Sequence, residues 1–354
     1  MSDMVIIGAG LGGLMCGSIL SRCGRSVTVL EQGLQPGGAL QTFVRGGVRF
    51  DTGFHSVGGL GPGGELEKIF RPLGLMDLPW EKAEADEGFP FLRLSSFSGE
   101  VSEIEKEHIL GPYLEGCWRL RGGGKTLVDA LVADIRRFGG EVLTRKKVVG
   151  IDGGSVTCRD GSVYSGTIIS SIHPLATFGL CRDHVRPSYL RMLRSRPSGP
   201  GVFSVYIKLR PGALPWCSQS IFLDGRLMIH FQDPDEEGRA VAMVLLTPFF
   251  TGDRKEAARA CISLASRRFP GLEDAIEDYW TSTPATWEKF TGTPLGSAYG
   301  SSGKGFLPAR TPVPGLYLTG QSTGLHGVLG VSMAAVATCR EILGKEIIEK
   351  LFGL

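Results

Sequence analysis

The chain has 354 residues, is 42% apolar and carries a formal net charge of +2. That length exceeds the roughly 250–300 residues at which a single core stops growing, so two domains are expected. No lysine-rich tail or basic stripe accompanies the near-neutral charge, which argues against nucleic acid as a partner, and no apolar run approaches the ~18 residues of a membrane span.

An apolar strand, Met4-Val5-Ile6-Ile7, opens the chain and runs into Gly8-Ala9-Gly10-Leu11-Gly12-Gly13. A helical apolar pattern follows, then a second strand, Val27-Thr28-Val29-Leu30, closed by Glu31. Each part has a task in holding a dinucleotide. Gly8 permits a sharp turn, Gly10 lets the backbone approach a pyrophosphate, and Gly13 lets the helix pack close to the strand. The helix presents free N–H groups and its positive dipole end to the phosphates. Glu31 can accept hydrogen bonds from ribose hydroxyls, and it stands 18 residues after Gly13, near the roughly 20 this arrangement uses.

A glycine-rich excursion, Gln32 to Thr42, comes next, followed by a loop over Phe50-Asp51-Thr52-Gly53-Phe54-His55-Ser56-Val57-Gly58-Gly59. Residues 65–73 read as a short helix and 77–115 as an irregular stretch punctuated by proline. Apolar spacing predicts a helix over 125–138, stopped by Gly139-Gly140. Short strands are expected at 141–144, 147–151, 155–159, 162–164 and 167–171, with a hairpin turn at Asp160-Gly161. Residues 202–209 alternate as a half-buried strand does. A hairpin at Asp224-Gly225, a strand at 240–247 and a helix at about 253–268 complete an antiparallel block with a covering helix. Finally Gly315-Leu316-Tyr317-Leu318-Thr319-Gly320 forms a strand that leads through Gln321–Leu325 into a helix from about 328 to 343, rich in small residues.

Two further glycine clusters are set aside. Gly59-Leu60-Gly61-Pro62-Gly63-Gly64 has dinucleotide spacing but no apolar strand feeds it. Gly122-Gly123-Gly124-Lys125-Thr126 resembles the end of a P-loop, yet Arg119 stands where the first glycine is required. One dinucleotide unit therefore remains. The C-terminal helix, starting Gly327-Val328-Leu329-Gly330, would aim unpaired N–H groups at whatever precedes it. In a flavoprotein that target is the ring edge where negative charge gathers on reduction. A core helix that needs small residues for close packing is the other reading of the same stretch.

These features together resemble one family: the FAD-dependent phytoene desaturases, carotenoid isomerases and retinol saturases, within the wider amine-oxidase-like flavoproteins. The resemblance rests on the N-terminal unit, Gly37-Gly38, Phe50-Asp51-Thr52-Gly53 and Leu316-Tyr317-Leu318-Thr319-Gly320-Gln321 with its small-residue helix. It covers both ends and residues 116–175, and is weaker between 181 and 289. Gln321 and Phe54-His55 look closer to the retinol-saturase branch. Members are usually longer, so this chain reads as a shortened one. The resemblance implies that Gly8, Gly10, Gly12, Gly13 and Glu31, with Leu11 and Gln32 adjoining, hold the ADP part of FAD. By the same implication Gly37, Gly38, Ala39 and Leu40 line the ring, Val148 meets the adenine, and Gly320 and Gln321 approach the ribityl chain.

The expected fold is α/β: a discontinuous Rossmann-like FAD-binding domain (1–60, 116–180 and 290–354) with an inserted α+β substrate domain on an antiparallel sheet (61–115 and 181–289). The expected function is an FAD-dependent oxidoreductase working on a carbon–carbon double bond of a small apolar isoprenoid- or polyene-like substrate. Alternatives are an amine- or porphyrinogen-oxidase-like flavoenzyme, a redox-neutral carotenoid isomerase, or a relative that binds FAD or lipid without turnover. Saturating a double bond needs a proton donor. His326, just before the flavin-facing helix, and His55 are the catalytic candidates, with Tyr206 and Tyr299 behind them. No metal is expected. The eight scattered cysteines read as buried reduced thiols. With no basic region before the first strand, the reading is cytoplasmic, with peripheral membrane contact through the arginines between Arg182 and Arg196.

Overall fold

The computed structural model describes residues 3–83, 111–181, 185–248, 250, 252–300 and 306–353. Its first layer is a five-stranded sheet in the order Leu316–Leu318, Thr167–Ser170, Met4–Ile7, Val27–Leu30, Glu141–Leu143, with every pairing parallel. Such strands are covered on both faces, which is why Met4–Ile7 and Val27–Leu30 are apolar throughout and fully buried. The helix Leu11–Arg22 is buried from Leu11 to Ser21. It packs between the sheet and the helices Gly123–Arg137 and Gly327–Leu343. Small residues allow that closeness: a side chain on Gly17 would stand 2.8 Å from Ile135 Cδ1.

The second main layer is an antiparallel sheet in the order Ser220–Leu223, Leu227–Phe231, Ala242–Thr247, Phe203–Leu209, Ile276–Ser282. Its period-2 alternation separates two faces. Phe203, Val205, Ile207, Ile229, Phe231, Met243 and Leu245 pack with the helix Arg254–Ser266. Tyr206, Met228, Val244 and Leu246 pack on the other side with Phe50 and Trp287. That second face is turned toward the parallel layer.

Several expectations are displaced. Residues 42–51 form a hairpin, Thr42–Arg45 with Val48–Asp51, across the unassigned gap between the two stretches read as loops. The strand Ile276–Ser282 and the helix Pro284–Thr291 were not foreseen. The former is an edge strand whose Glu277 and Asp278 break the apolar pattern, as edge strands often do. The helix expected at 65–73 is present as Glu65–Phe70 with the short turn Arg71–Leu73. However, Leu66, Ile69, Phe70, Leu73 and Leu75 join the core of the helix Leu11–Arg22, so apolar packing puts this segment with the nucleotide layer, not the inserted block. Of the stretch 77–115, Trp80–Ala83 is a strand and Gly111–Glu115 a helix; residues 84–110 lie outside the described residues, as does Arg182. All eight cysteines are free, six of them buried.

Candidate active site

A cavity of about 540 Å³ lies between the carboxyl ends of the parallel strands and the inner face of the antiparallel sheet, the place where open α/β sheets hold ligands. At its nucleotide end, strand Met4–Ile7 turns at Gly8 with φ of +93°. A side chain there would stand 2.8 Å from Ser171 Oγ, the hydroxyl that donates to the Gly8 carbonyl at 2.8 Å. A side chain on Gly13 would strike the same carbonyl, whereas the space over Gly10 is open. The three glycines thus do separate things: one turns, one leaves room, one packs. A side chain on Gly12 would come within 3.0 Å of Gly320 Cα, so the first helix and the turn after Leu316–Leu318 meet backbone to backbone.

Glu31 is buried and lines the cavity. One carboxylate oxygen accepts from Ala9 N–H at 2.9 Å and the other from Gly33 N–H at 2.7 Å, which fixes the group and leaves each oxygen a lone pair for a ribose hydroxyl. Gly37 N–H donates to the Ala9 carbonyl at 2.7 Å, fastening the second glycine loop beside the first. The helices Leu11–Arg22 and Gly327–Leu343 both open onto the cavity through Leu11, Gly12, Gly327 and Val328. Their first N–H groups have no acceptor within the helix. Open backbone over Gly10, two helix N-termini and a carboxylate with free lone pairs fit FAD.

Beyond the glycines the wall changes character. Val202, Met228, Leu246, Trp287 and Phe290 line it, joined by the polar side chains of His55 and Tyr299. Burial pushes the Tyr299 phenol up to about 12. Burial, helped by the Arg119 guanidinium, holds His55 down at about 3. Both groups are therefore uncharged at neutral pH. His230, packed 4.9 Å from His55 ring to ring, is kept neutral in the same way. His173, which also lines the cavity, caps the helix Pro174–Leu180 by accepting from Leu175 N–H, and burial lowers it to about 4.

The cavity gathers Gly8, Gly10, Leu11, Gly12, Glu31, Gln32, Gly37, Gly38, Ala39, Leu40, Val148, Gly320, Gln321, Gly327 and Val328 of the predicted set. Gly13 and Leu329 stand outside its described lining: Gly13 packs against Gly8, and Leu329 belongs to the core. His55 lines the cavity, but His326 does not. The His326 ring is buried 4.8 Å from the Tyr299 ring, edge to face. Tyr206 lies in the aromatic cluster with Phe43 and Phe50. Ser171, Met228, Leu246 and Trp287 escaped the sequence reading. Ser171 alone had a signal, standing at the carboxyl end of an apolar strand.

Residues 6–73 match the model of an NAD(P)-binding Rossmann-like domain, and residues 91–343 that of flavin containing amine oxidoreductase. An all-trans-retinol 13,14-reductase of Macaca fascicularis is 24% identical over 536 aligned positions, covering 99% of this chain and 87% of the relative. The alignment is far longer than 354 residues, so the relative carries long insertions. A prolycopene isomerase of an Oncidium hybrid cultivar is 37% identical over 75 residues, 21% of this chain and 13% of its own. In fold, the chain is similar to cyclohexylamine oxidase from Brevibacterium oxydans, with a TM-score of 0.66 and 16% identity over 97% of this chain and 99% of that one. The chain belongs to the flavin-containing amine oxidoreductase family and is an FAD-dependent oxidoreductase, its relatives fitting the branch of phytoene desaturases, carotenoid isomerases and retinol saturases.

Proposed function

We propose that this oxidoreductase acts on a carbon–carbon double bond of an apolar, isoprenoid- or polyene-like substrate. The observation that carries this reading is the wall of Val202, Met228, Leu246, Trp287 and Phe290. His55 and Tyr299 are neutral there, the charged side chain beside Phe290 is the cationic Lys289, and no carboxylate is present among the described residues of that end. A protonated amine would lose its hydration there without gaining a counter-charge. An uncharged hydrocarbon chain loses nothing. The retinol reductase and prolycopene isomerase similarities support the same substrate class.

In this reading Gly8, Gly10, Gly12 and Glu31 hold the ADP part of FAD and Val148 meets the adenine. Gly37 to Leu40 line the ring, with Gly320 and Gln321 along the ribityl chain and the Gly327–Val328 helix start facing the ring. When bound, reduced FAD would supply a hydride in the saturating direction and oxidised FAD would take one in the desaturating direction. Saturation also requires a proton. Tyr299 delivers it from the cavity wall, and His326, packed on that phenol, replenishes it. His55 leaves the list of proton donors, because an imidazole held near 3 carries no acidic proton at neutral pH. Phe290, at the cavity edge with 62% of its surface exposed, and the basic helix Pro187–Arg194 support contact with an anionic lipid surface. No helix among the described residues is long and apolar enough to cross a membrane.

The test is product analysis. The photoreduced, FAD-loaded protein is incubated anaerobically with all-trans-retinol and the extract is analysed by mass spectrometry. A product heavier by one H2 is expected. Recovery of a geometric isomer of unchanged mass, or of retinol alone, would overturn the proposal.

A further inference from the structure

Charge is scarce around the apolar end of the cavity. His55 and Tyr299 are held neutral by burial. The Arg119 guanidinium is buried, and its charge is matched by Asp233 Oδ1 at 3.0 Å. Lys289 differs. It lines the cavity, and among the described residues no carboxylate or carbonyl accepts from its ammonium. Its contact is with the Phe290 ring, whose centroid lies 5.6 Å from Nζ.

The helix Pro284–Thr291 sets that charge in place. Trp287 is buried, and its indole N–H donates to Ser204 Oγ at 3.3 Å. Less than a turn further on, Phe290 is exposed with Lys289 beside it, and Gly292 caps the helix. Trp287, Lys289 and Phe290 all line the cavity, so its wall passes from buried indole to exposed ring and ammonium within one turn. A cation in the last turn suits the helix dipole, yet the three ammonium donors stay available to a ligand. Such a gradient sorts a molecule with an apolar tail and a charged end: the tail goes to Trp287 and the head stays at the rim.

The sign of that head follows from the charge it meets. A protonated amine would face a like charge, and a neutral alcohol gains no ion pair. A carboxylate or phosphate gains one at the water-exposed rim, without the desolvation that burying a charge costs.

We propose that Lys289 is a head-group site: the polyene- or isoprenoid-like substrate carries an anionic group, held by the Lys289 ammonium at the cavity rim. This rests on the reading of an apolar polyene-like substrate and adds the charge of its end. Lys289 acts here by binding, apart from Tyr299 and His326. Two other anions compete for the ammonium: the pyrophosphate of bound FAD and the headgroups of an anionic lipid surface.

The experiment separates the three. The FAD-loaded protein, free of lipid, is titrated at pH 8 with all-trans-retinoate and with all-trans-retinol, and binding is read from perturbation of the flavin absorption spectrum. The native protein is expected to bind retinoate about fivefold more tightly at low salt, as an exposed ion pair allows. Raising the salt is expected to shrink that advantage. Lys289→Met keeps an apolar stem without the charge. It is expected to lose the preference while binding retinol and FAD as the native protein does. Equal or weaker binding of retinoate by the native protein, the result if the ammonium serves only a lipid surface, overturns the proposal. So does a preference that survives in Lys289→Met, and so does a variant that releases FAD, which assigns the ammonium to the cofactor's pyrophosphate. Should neither ligand perturb the spectrum, the polyene reading itself falls and the proposal with it.

Discussion

Asp51 shows how one buried atom group can set the pH response of the whole molecule. Its carboxylate accepts from Gly124 N–H at 2.8 Å at the start of the helix Gly123–Arg137. Burial nonetheless pushes its pKa up to about 7, with Asp233 adding to the rise and the Gly124 hydrogen bond, Arg119 and Arg49 opposing it. The folded chain therefore keeps this proton up to about pH 7, while the unfolded chain releases it near 3.8. Between those values the folded state binds more protons, so this group's contribution to stability falls as pH rises through the window. Asp51→Asn keeps an oxygen for Gly124 N–H and removes the titration. Its melting temperature should exceed that of the native protein by a few degrees at pH 8 and match it at pH 4. A variant that melts no higher at pH 8 would contradict this. The same scale explains a gap in the sequence reading. Position 326 marks a helix start well enough, but adjacency in sequence does not say that the ring turns onto Tyr299.

Among the elements, the joint between the helices Leu11–Arg22 and Gly123–Arg137 bears directly on the site, because the first of these presents the glycine turn. Asp134 accepts from Ser18 Oγ at 2.5 Å, from Arg22 Nε at 2.8 Å and from Arg22 Nη2 at 2.6 Å. Removing one member of a buried ion pair leaves the other without its counter-charge. Asp134→Ala should therefore cost about 3 kcal/mol, the low end for a buried pair because Arg22 keeps some contact with water. Urea denaturation reads this directly, and an unchanged midpoint would contradict it. Elements of this kind were legible because their periodicity is local. The helix at 123–137 and the strands between 141 and 170 follow apolar spacing closely. The edge strand Ile276–Ser282 was not legible, since an edge is partly exposed and its charged positions hide the alternation. The hairpin over 42–51 turns at Gly46-Gly47, within residues 43–49 that fall between the two stretches read as loops and were assigned no element.

At the scale of the whole molecule, the two halves of the cavity differ in how they are encoded. The nucleotide half comes from compact motifs at the two ends of the chain, brought together where the Leu316–Leu318 strand joins the sheet of Met4–Ile7 through Thr167–Ser170. Each motif carries its own spacing, so this half could be read from sequence. The substrate half is assembled from Val202, Met228 and Leu246, on or beside strands of ordinary apolar alternation, and Trp287 from the helix Pro284–Thr291, whose common face exists only once the antiparallel sheet and that helix are folded. No spacing marks them. The functional claim therefore rests on what this wall admits, and anaerobic flavin spectroscopy tests it most directly. The FAD-loaded protein is photoreduced and mixed with all-trans-retinol, and the oxidised protein is mixed separately with a primary amine. The account predicts that retinol restores the oxidised flavin spectrum and that the amine leaves the oxidised spectrum unchanged. Bleaching by the amine, with no response to the polyene, would contradict it.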